Sequence, residues 1–167
     1  SMLGLLNKNN KVWVTEAQNK KRKLKYTLQI IEDKKSKVGV NTHLTNKIVL
    51  DALEKNLIKD FSKNVKIVTE QVFGSNTRFD FYLEDKNNKS FLEVKNVTLM
   101  RNDKVAEFPD SVTSRGTKHL NELINAKKKG YNAYLLFVIQ REDCKKFEIA
   151  KDIDPVYSKT LIKAVKH

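Results

Sequence analysis

The sequence predicts a mixed α/β (α+β) fold, a sheet flanked by helices and preceded by a short all-strand segment. Three observations carry this. The stretch 78–95, R-F-D-F-Y-L-E-D-K-N-N-K-S-F-L-E-V-K, opens with the apolar–polar alternation of a half-buried strand. A polar turn with two adjacent asparagines then leads into a second strand. The run 131–140, Y-N-A-Y-L-L-F-V-I-Q, is almost wholly apolar, as a strand covered on both faces must be. Helical spacing of apolar residues marks 42–59 and about 114–129, and a last helix is expected over 155–167.

Taken in order, residues 1–41 read as strands. Val12 and Val14 alternate in a short strand at 11–15, and 19–25 is a basic connector. Strands at 26–31 and 37–41 flank a turn at 32–36. In the first helix Ile48, Leu50, Leu53, Leu57 and Ile58 form the apolar face, and Thr45 is placed to cap it. A strand at 65–73 and a turn at 74–76 lead into the strand carrying Asp80. Pro109 prevents a helix from running through the F-P-D loop at 107–111. Thr113 or Ser114 caps the second helix, which buries Leu120, Leu123 and Ile124 and stops at Gly130. The chain therefore divides into a strand segment, 1–41, and a larger domain, 42–167.

A chain of 167 residues can bury one sizeable core, with or without a small appendage. It carries 33 basic and 20 acidic side chains, a net charge of +13, which points to a polyanionic partner. The excess is densest at the N-terminus: residues 1–40 hold ten basic and three acidic groups, the rest 23 and 17. Only five of the basic residues are arginine, and lysine meets phosphate as a point charge without a bidentate fork. The lone Cys144 excludes an internal disulfide and a multi-cysteine metal site, and it fits a reducing, cytoplasmic setting. No apolar run approaches 18 residues, so no membrane span is expected, and residues 1–6 are too short for a signal peptide.

Glu93 and Lys95 are two apart on one strand and share a face. If that strand pairs with the strand of Asp80, two carboxylates and one ammonium converge. Paired carboxylates are hard ligands suited to Mg²⁺ or Mn²⁺, and such an ion can polarise a phosphoryl oxygen. Lys95 could orient the attacking water or stabilise developing charge. Glu70 is a further acid near this centre, with an ion pair to Arg78 as its alternative. Asp51 and Glu54 on the first helix are others, with solvation as theirs.

Lys21, Arg22, Lys23 and Lys25 form a phosphate-binding stripe, with Tyr26 available for base stacking; a solvated loop is the plainer reading. Arg115 and Lys118 open the second helix, where free N–H groups favour anions; an Arg115–Asp110 ion pair is the alternative. His119 reads as a packed histidine or an accessory base. Gln140 reads as a site contact or a sheet cap.

The Asp-x(n)-Glu-x-Lys pattern of Asp80, Glu93 and Lys95 resembles the signature of the PD-(D/E)xK nuclease superfamily, without its proline before the aspartate. More widely, K-K-R-K-L-K-Y-T-L (20–28), V-G-V-N-T-H-L (38–44), S-N-T-R-F-D-F (75–81), F-L-E-V-K-N-V-T-L (91–99), F-P-D-S-V-T-S-R-G-T-K-H-L (108–120) and I-D-P-V-Y (153–157) resemble the sugar fermentation stimulation protein (SfsA) family. The resemblance runs in order along nearly the whole chain. It implies a partial OB-type β-barrel at 1–41, followed by a PD-(D/E)xK restriction-endonuclease-like mixed sheet with α-β-β-β-α-β order. It also implies DNA binding, a regulatory link to bacterial sugar metabolism, and a metal held by Asp80, Glu93 and the Val94 carbonyl. Relative to the family the chain is expected to be shortened at both ends. A partial barrel must pack on the larger domain or leave strand edges exposed, and such edges offer a route to homo-oligomers. Two readings result: a Mg²⁺-dependent nuclease, and a DNA-binding module that does not cleave. A partial gene product without activity is a third.

Overall fold

The computed structural model describes residues 2–19, 21–61 and 63–167. Lys20 of the basic stripe therefore lies outside the described residues. Three strands come first: β1 (Val12–Glu16), β2 (Tyr26–Asp33) and β3 (Ser36–Gly39). Helix α1 (Thr42–Glu54) precedes β4 (Lys66–Phe73), β5 (Thr77–Glu84), β6 (Lys89–Val97) and β7 (Val105–Phe108). Then come α2 (Ser114–Lys128), β8 (Asn132–Ile139), β9 (Lys146–Ile149) and α3 (Pro155–Val165). Among these residues no helix is long and apolar enough to cross a membrane.

The strands form three sheets, ordered β1-β2-β3, β4-β5-β6-β8 and β7-β9. In the central sheet β4, β5 and β6 run antiparallel, and β8 joins β6 in parallel after the α2 crossover. Helix α1 covers one face: Val49 and Leu53 pack with Phe81, Leu83, Leu92 and Val94. Helix α2 covers the other, where Leu123 and Ala126 pack with Phe73, Phe79 and Phe91. Helix α3 lies against α2. This is the mixed sheet with flanking helices that the patterning predicts.

Several local expectations change. Lys34 and Lys35 both have positive φ (48° and 74°), so a two-residue mirror-type turn joins β2 to β3. That turn is shorter than 32–36, and Asp33 pairs with Ser36. Asn41, not Thr45, caps α1, its side chain accepting from the His43 N–H. Thr45 is buried instead, because the inward stripe runs 45–49–53. Ile48 consequently faces solvent, and the helix ends at Glu54 rather than near 59, which leaves Leu57 exposed beyond it. Strands β7 and β9, which the patterning does not mark, have four residues each and pair with one another, too short for a periodic signal.

The N-terminal sheet has a small core of Leu5, Ile31 and Val38 and is tied to the rest through the end of β8. Gly39 donates its N–H to the Gln140 carbonyl at 2.9 Å. A Cβ at Gly39 would stand 2.6 Å from Gln140 Oε1 and 3.2 Å from Gln140 Cβ, so any side chain there would have to displace that of Gln140. Next to it the Arg141 side chain is 1% exposed and donates to Asp33 and Asp143, each at 2.9 Å. It also donates to the Thr98 carbonyl at 2.9 Å. β1 remains an edge strand, with Val12 and Val14 half exposed.

Arg141→Met leaves Asp33 and Asp143 without their buried cation and is expected to cost about 3–5 kcal/mol in a urea unfolding curve. The Arg141 hydrogen bond also holds the Asp143 carboxyl below the usual aspartate range. A lowered folded pKa adds stability above the unfolded value, about 4, and that stability is lost as pH falls through the folded value. Unfolding curves of Asp143→Asn should lack this part of the acid dependence.

Candidate active site

Pairing between β5 and β6 runs from Glu84↔Lys89 to Phe81↔Leu92 and stops one residue short of Asp80. There a side chain replaces the ladder. Asp80 Oδ2 accepts the Val94 N–H at 2.7 Å, and Oδ1 accepts Asn46 Nδ2 of α1, also at 2.7 Å.

The strands change face at the same level. Phe81 and Leu83 belong to the α1-side cluster, whereas Phe79 belongs to the α2-side cluster. On β4, Ile67 and Phe73 divide in the same way. Residues of equal parity should share a face, so both strands turn over between these positions. Between the partners Thr69↔Phe81 and Gln71↔Phe79 lies Glu70, with φ of 55°. That is the left-handed region, rarely adopted by a residue with a side chain.

Beyond the split, β6 stays paired with β8. Val97 accepts the Gln140 N–H at 3.1 Å, so the odd-numbered main-chain groups of β6 point to β8. The Val94 N–H points the other way, toward Asp80. In an extended strand the carbonyl of a residue faces the same side as its N–H. The Val94 carbonyl therefore opens into the gap beside Asp80.

Glu93 is 3% exposed and turns toward α2. Its Oε1 accepts from Lys95 Nζ at 2.5 Å and from Nδ1 of buried His119. Its Oε2 is buried with no hydrogen-bond partner. Burial pushes the Asp80 carboxyl above the usual range, and the charge of Glu93 adds to this. Burial pushes Glu93 up as well, but the His119 hydrogen bond and the Lys95 charge outweigh it, and its carboxyl lies below the usual range. The two carboxylates are thus shifted in opposite directions, Asp80 up and Glu93 down.

The remaining predicted residues divide. Glu70 does not join the centre; it lies 3.8 Å from Arg78 at the surface. With Arg78, Arg115, Lys118 and one edge of His119 it lines an open groove of about 460 Å³. Lys118 Nζ is anchored there on the Asn76 carbonyl at 2.6 Å. Gln140 takes the sheet-cap alternative, donating to Thr45 Oγ1 at 3.0 Å and to Asn96 Oδ1. Asp51 pairs with Lys55 on the outer face of α1. Lys21, Arg22, Lys23, Lys25 and Tyr26 sit on an exposed connector and the start of β2, where Arg22 donates to Thr27 at 2.8 Å. Among the described residues none of these five contacts Asp80, Glu93 or Lys95.

The helix residue that reaches the site is Asn46, which the sequence reading missed. Its signal was present: extending the buried stripe of α1 back one turn from Val49 and Leu50 lands on Thr45 and Asn46.

No group of three or more His, Cys, Asp or Glu side chains able to hold a metal occurs among the described residues. The donor set is two carboxylates and one main-chain carbonyl. It fits a hard divalent cation. Glu93 Oε2 is free and buried, and Asp80 keeps lone pairs beyond those that its two donors occupy.

A mixed sheet bearing Asp80 on one strand and Glu-x-Lys on the next defines a nuclease-like domain. The family model described as "Sugar fermentation stimulation protein RE domain" matches residues 43–167, and "SfsA N-terminal OB domain" matches 1–40. The sugar fermentation stimulation protein homolog of Pelagibacter ubique is 54% identical over 166 residues, covering 99% of this chain and 72% of the relative. That of Bartonella quintana is 44% identical over 167 residues, covering 99% and 71%. The chain belongs to the sugar fermentation stimulation protein (SfsA) family. The structure of Pyrococcus furiosus SfsA in complex with Ca²⁺ is similar, with a TM-score of 0.84 at 25% identity. It spans 93% of this chain, and the chain spans 65% of it.

His119→Ala removes one of two donors from a buried carboxylate. Chemical denaturation is expected to register a loss of about 1–3 kcal/mol.

Proposed function

We propose that this protein binds DNA and that Asp80, Glu93 and Lys95 form a Mg²⁺- or Mn²⁺-dependent centre for phosphodiester hydrolysis. The observation that carries the reading is the free, buried Oε2 of Glu93, on a carboxylate whose charge is felt by Asp80. A pure DNA binder has no use for two adjacent acids, which repel phosphate. The relative from Pyrococcus furiosus is described in complex with Ca²⁺, a cation with the same preference for oxygen ligands.

Asp80, Glu93 and the Val94 carbonyl would hold the cation, which when bound supplies Lewis-acid polarisation of a phosphoryl oxygen. Lys95 stands on the other oxygen of Glu93, where its ammonium can orient the attacking water and stabilise charge as it develops. Arg115 and Lys118 line the adjoining groove and hold the phosphate backbone by charge. Lys21, Arg22, Lys23 and Lys25 extend the positive surface, and Tyr26, 61% exposed, offers a ring for stacking.

A second reading is a regulatory module that binds DNA without cutting it, linked to sugar metabolism. The 2.5 Å Lys95–Glu93 ion pair favours it, since it engages the ammonium that catalysis needs.

Calorimetric titration is expected to give Mn²⁺ binding to the wild type and none to Glu93→Gln. Wild type should cut single- or double-stranded DNA with Mg²⁺ or Mn²⁺, and Asp80→Ala should not. Equal cutting by Asp80→Ala would refute the centre, and no cutting by either protein would leave the second reading. Under both readings log affinity for DNA falls linearly with log salt, and Arg115→Ala lowers the slope by about one. An affinity independent of salt rules out both.

A further inference from the structure

Among the described residues two buried side-chain polar atoms have no hydrogen-bond partner, Glu93 Oε2 and the Tyr157 hydroxyl. Buried polar groups are nearly always satisfied, by protein or by ordered water. The two atoms belong to one locality. Tyr157 lies on α3, is 0% exposed, and packs edge-on against Phe108 at 5.3 Å between centroids. Its ring comes so close to α2 that a Cβ on Gly116 would stand 3.1 Å from Tyr157 Cε2. Gly116 and His119 are three apart on α2 and share its buried face. His119 is the residue that bonds Glu93. The tyrosine thus comes from α3 to the spot where α2 meets the carboxylate.

Its placement is rigid. Asp154 accepts the Tyr157 N–H at 2.9 Å with one oxygen and the Thr113 N–H at 2.8 Å with the other. One side chain therefore pins the starts of α2 and α3 together. Burial first, and then the negative charges of Glu93 and Asp154, push the phenol pKa up. The hydroxyl stays protonated and can act toward a carboxylate only as a donor.

We propose that Tyr157 is a positioning residue for the cation site, its hydroxyl reaching Glu93 Oε2 through one bridging water. Lys95 and His119 fix one oxygen of Glu93, and Tyr157 fixes the direction of the other. A neutral donor does this without competing with a cation for charge. The proposal rests on the cation reading above.

Tyr157→Phe keeps the ring and removes only the hydroxyl. Crystal structures of the cation-free wild type and variant, and Mn²⁺ titrations of both, decide the matter. The wild type should show an ordered water within hydrogen-bond distance of both atoms, absent or displaced in the variant. Mn²⁺ affinity should fall roughly tenfold or more, the usual effect of losing an outer-shell partner, while the thermal midpoint falls by no more than the loss of one water-mediated hydrogen bond. A wild-type Tyr157 hydroxyl with no partner overturns the proposal, and so does a variant that binds Mn²⁺ as tightly as wild type. If wild type takes up no Mn²⁺, the cation reading fails, and the water alone decides whether Tyr157 is tied to Glu93.

Discussion

The side chain of Asp80 accepts the N–H of Val94, a donor that a continued β5–β6 ladder would have satisfied with a carbonyl. A buried N–H left bare costs about 1–3 kcal/mol, so strands do not part without a substitute acceptor. Asp80 is that substitute, and its charge makes the bond stronger than a neutral one. The split then has three results. It frees the Val94 carbonyl on the same side. It leaves Glu93 on the α2 face within electrostatic reach of Asp80. It lets β4 and β5 exchange faces, at the level where Glu70 takes its left-handed conformation. One hydrogen bond thus assembles oxygen donors from two strands at a single gap.

Both flanking helices act on that gap. From one side Asn46 of α1 donates to Asp80, and from the other His119 of α2 donates to Glu93. Each carboxylate is therefore oriented by a side chain from a different helix, and neither helix can shift without moving one of them. The basic groove beside His119 and the basic N-terminal connector lie on separate elements. What they have in common is the sign of their charge. Arg141 holds the N-terminal sheet to the body through a buried pair, so that sheet presents its charge from a fixed position.

Much of this was legible in the residues. Phe79, Phe81 and Leu83 announced a strand, the asparagines at 87 and 88 a turn, and the two-residue spacing of Glu93 and Lys95 a common face. The resemblance placed Asp80 with them. The face exchange was not legible, because alternation continues unbroken through Glu70 and Asp80 and only the packing clusters reveal it. Thr45 looked like a cap because a threonine near a helix start usually is one; in the fold it is buried and joins the half-buried Asn96 and Gln140 in one hydrogen-bonded set. Asn46 was hidden for a related reason, since a polar residue on an apolar stripe counts against burial until its partner is known. Strands β7 and β9 owe their existence to pairing across a long sequence gap, which four-residue runs do not signal. Tyr157 sat in a segment matched for its pattern, and nothing in I-D-P-V-Y placed it beside Glu93.

The most direct test of the Asp80–Glu93 centre is anomalous scattering from a crystal of the wild-type protein soaked in Mn²⁺. One peak is expected in the β5–β6 gap, touching the carboxylates of Asp80 and Glu93 and the carbonyl of Val94. A gap without a peak, with Glu93 Oε2 still unliganded or with Mn²⁺ bound elsewhere, would contradict the account.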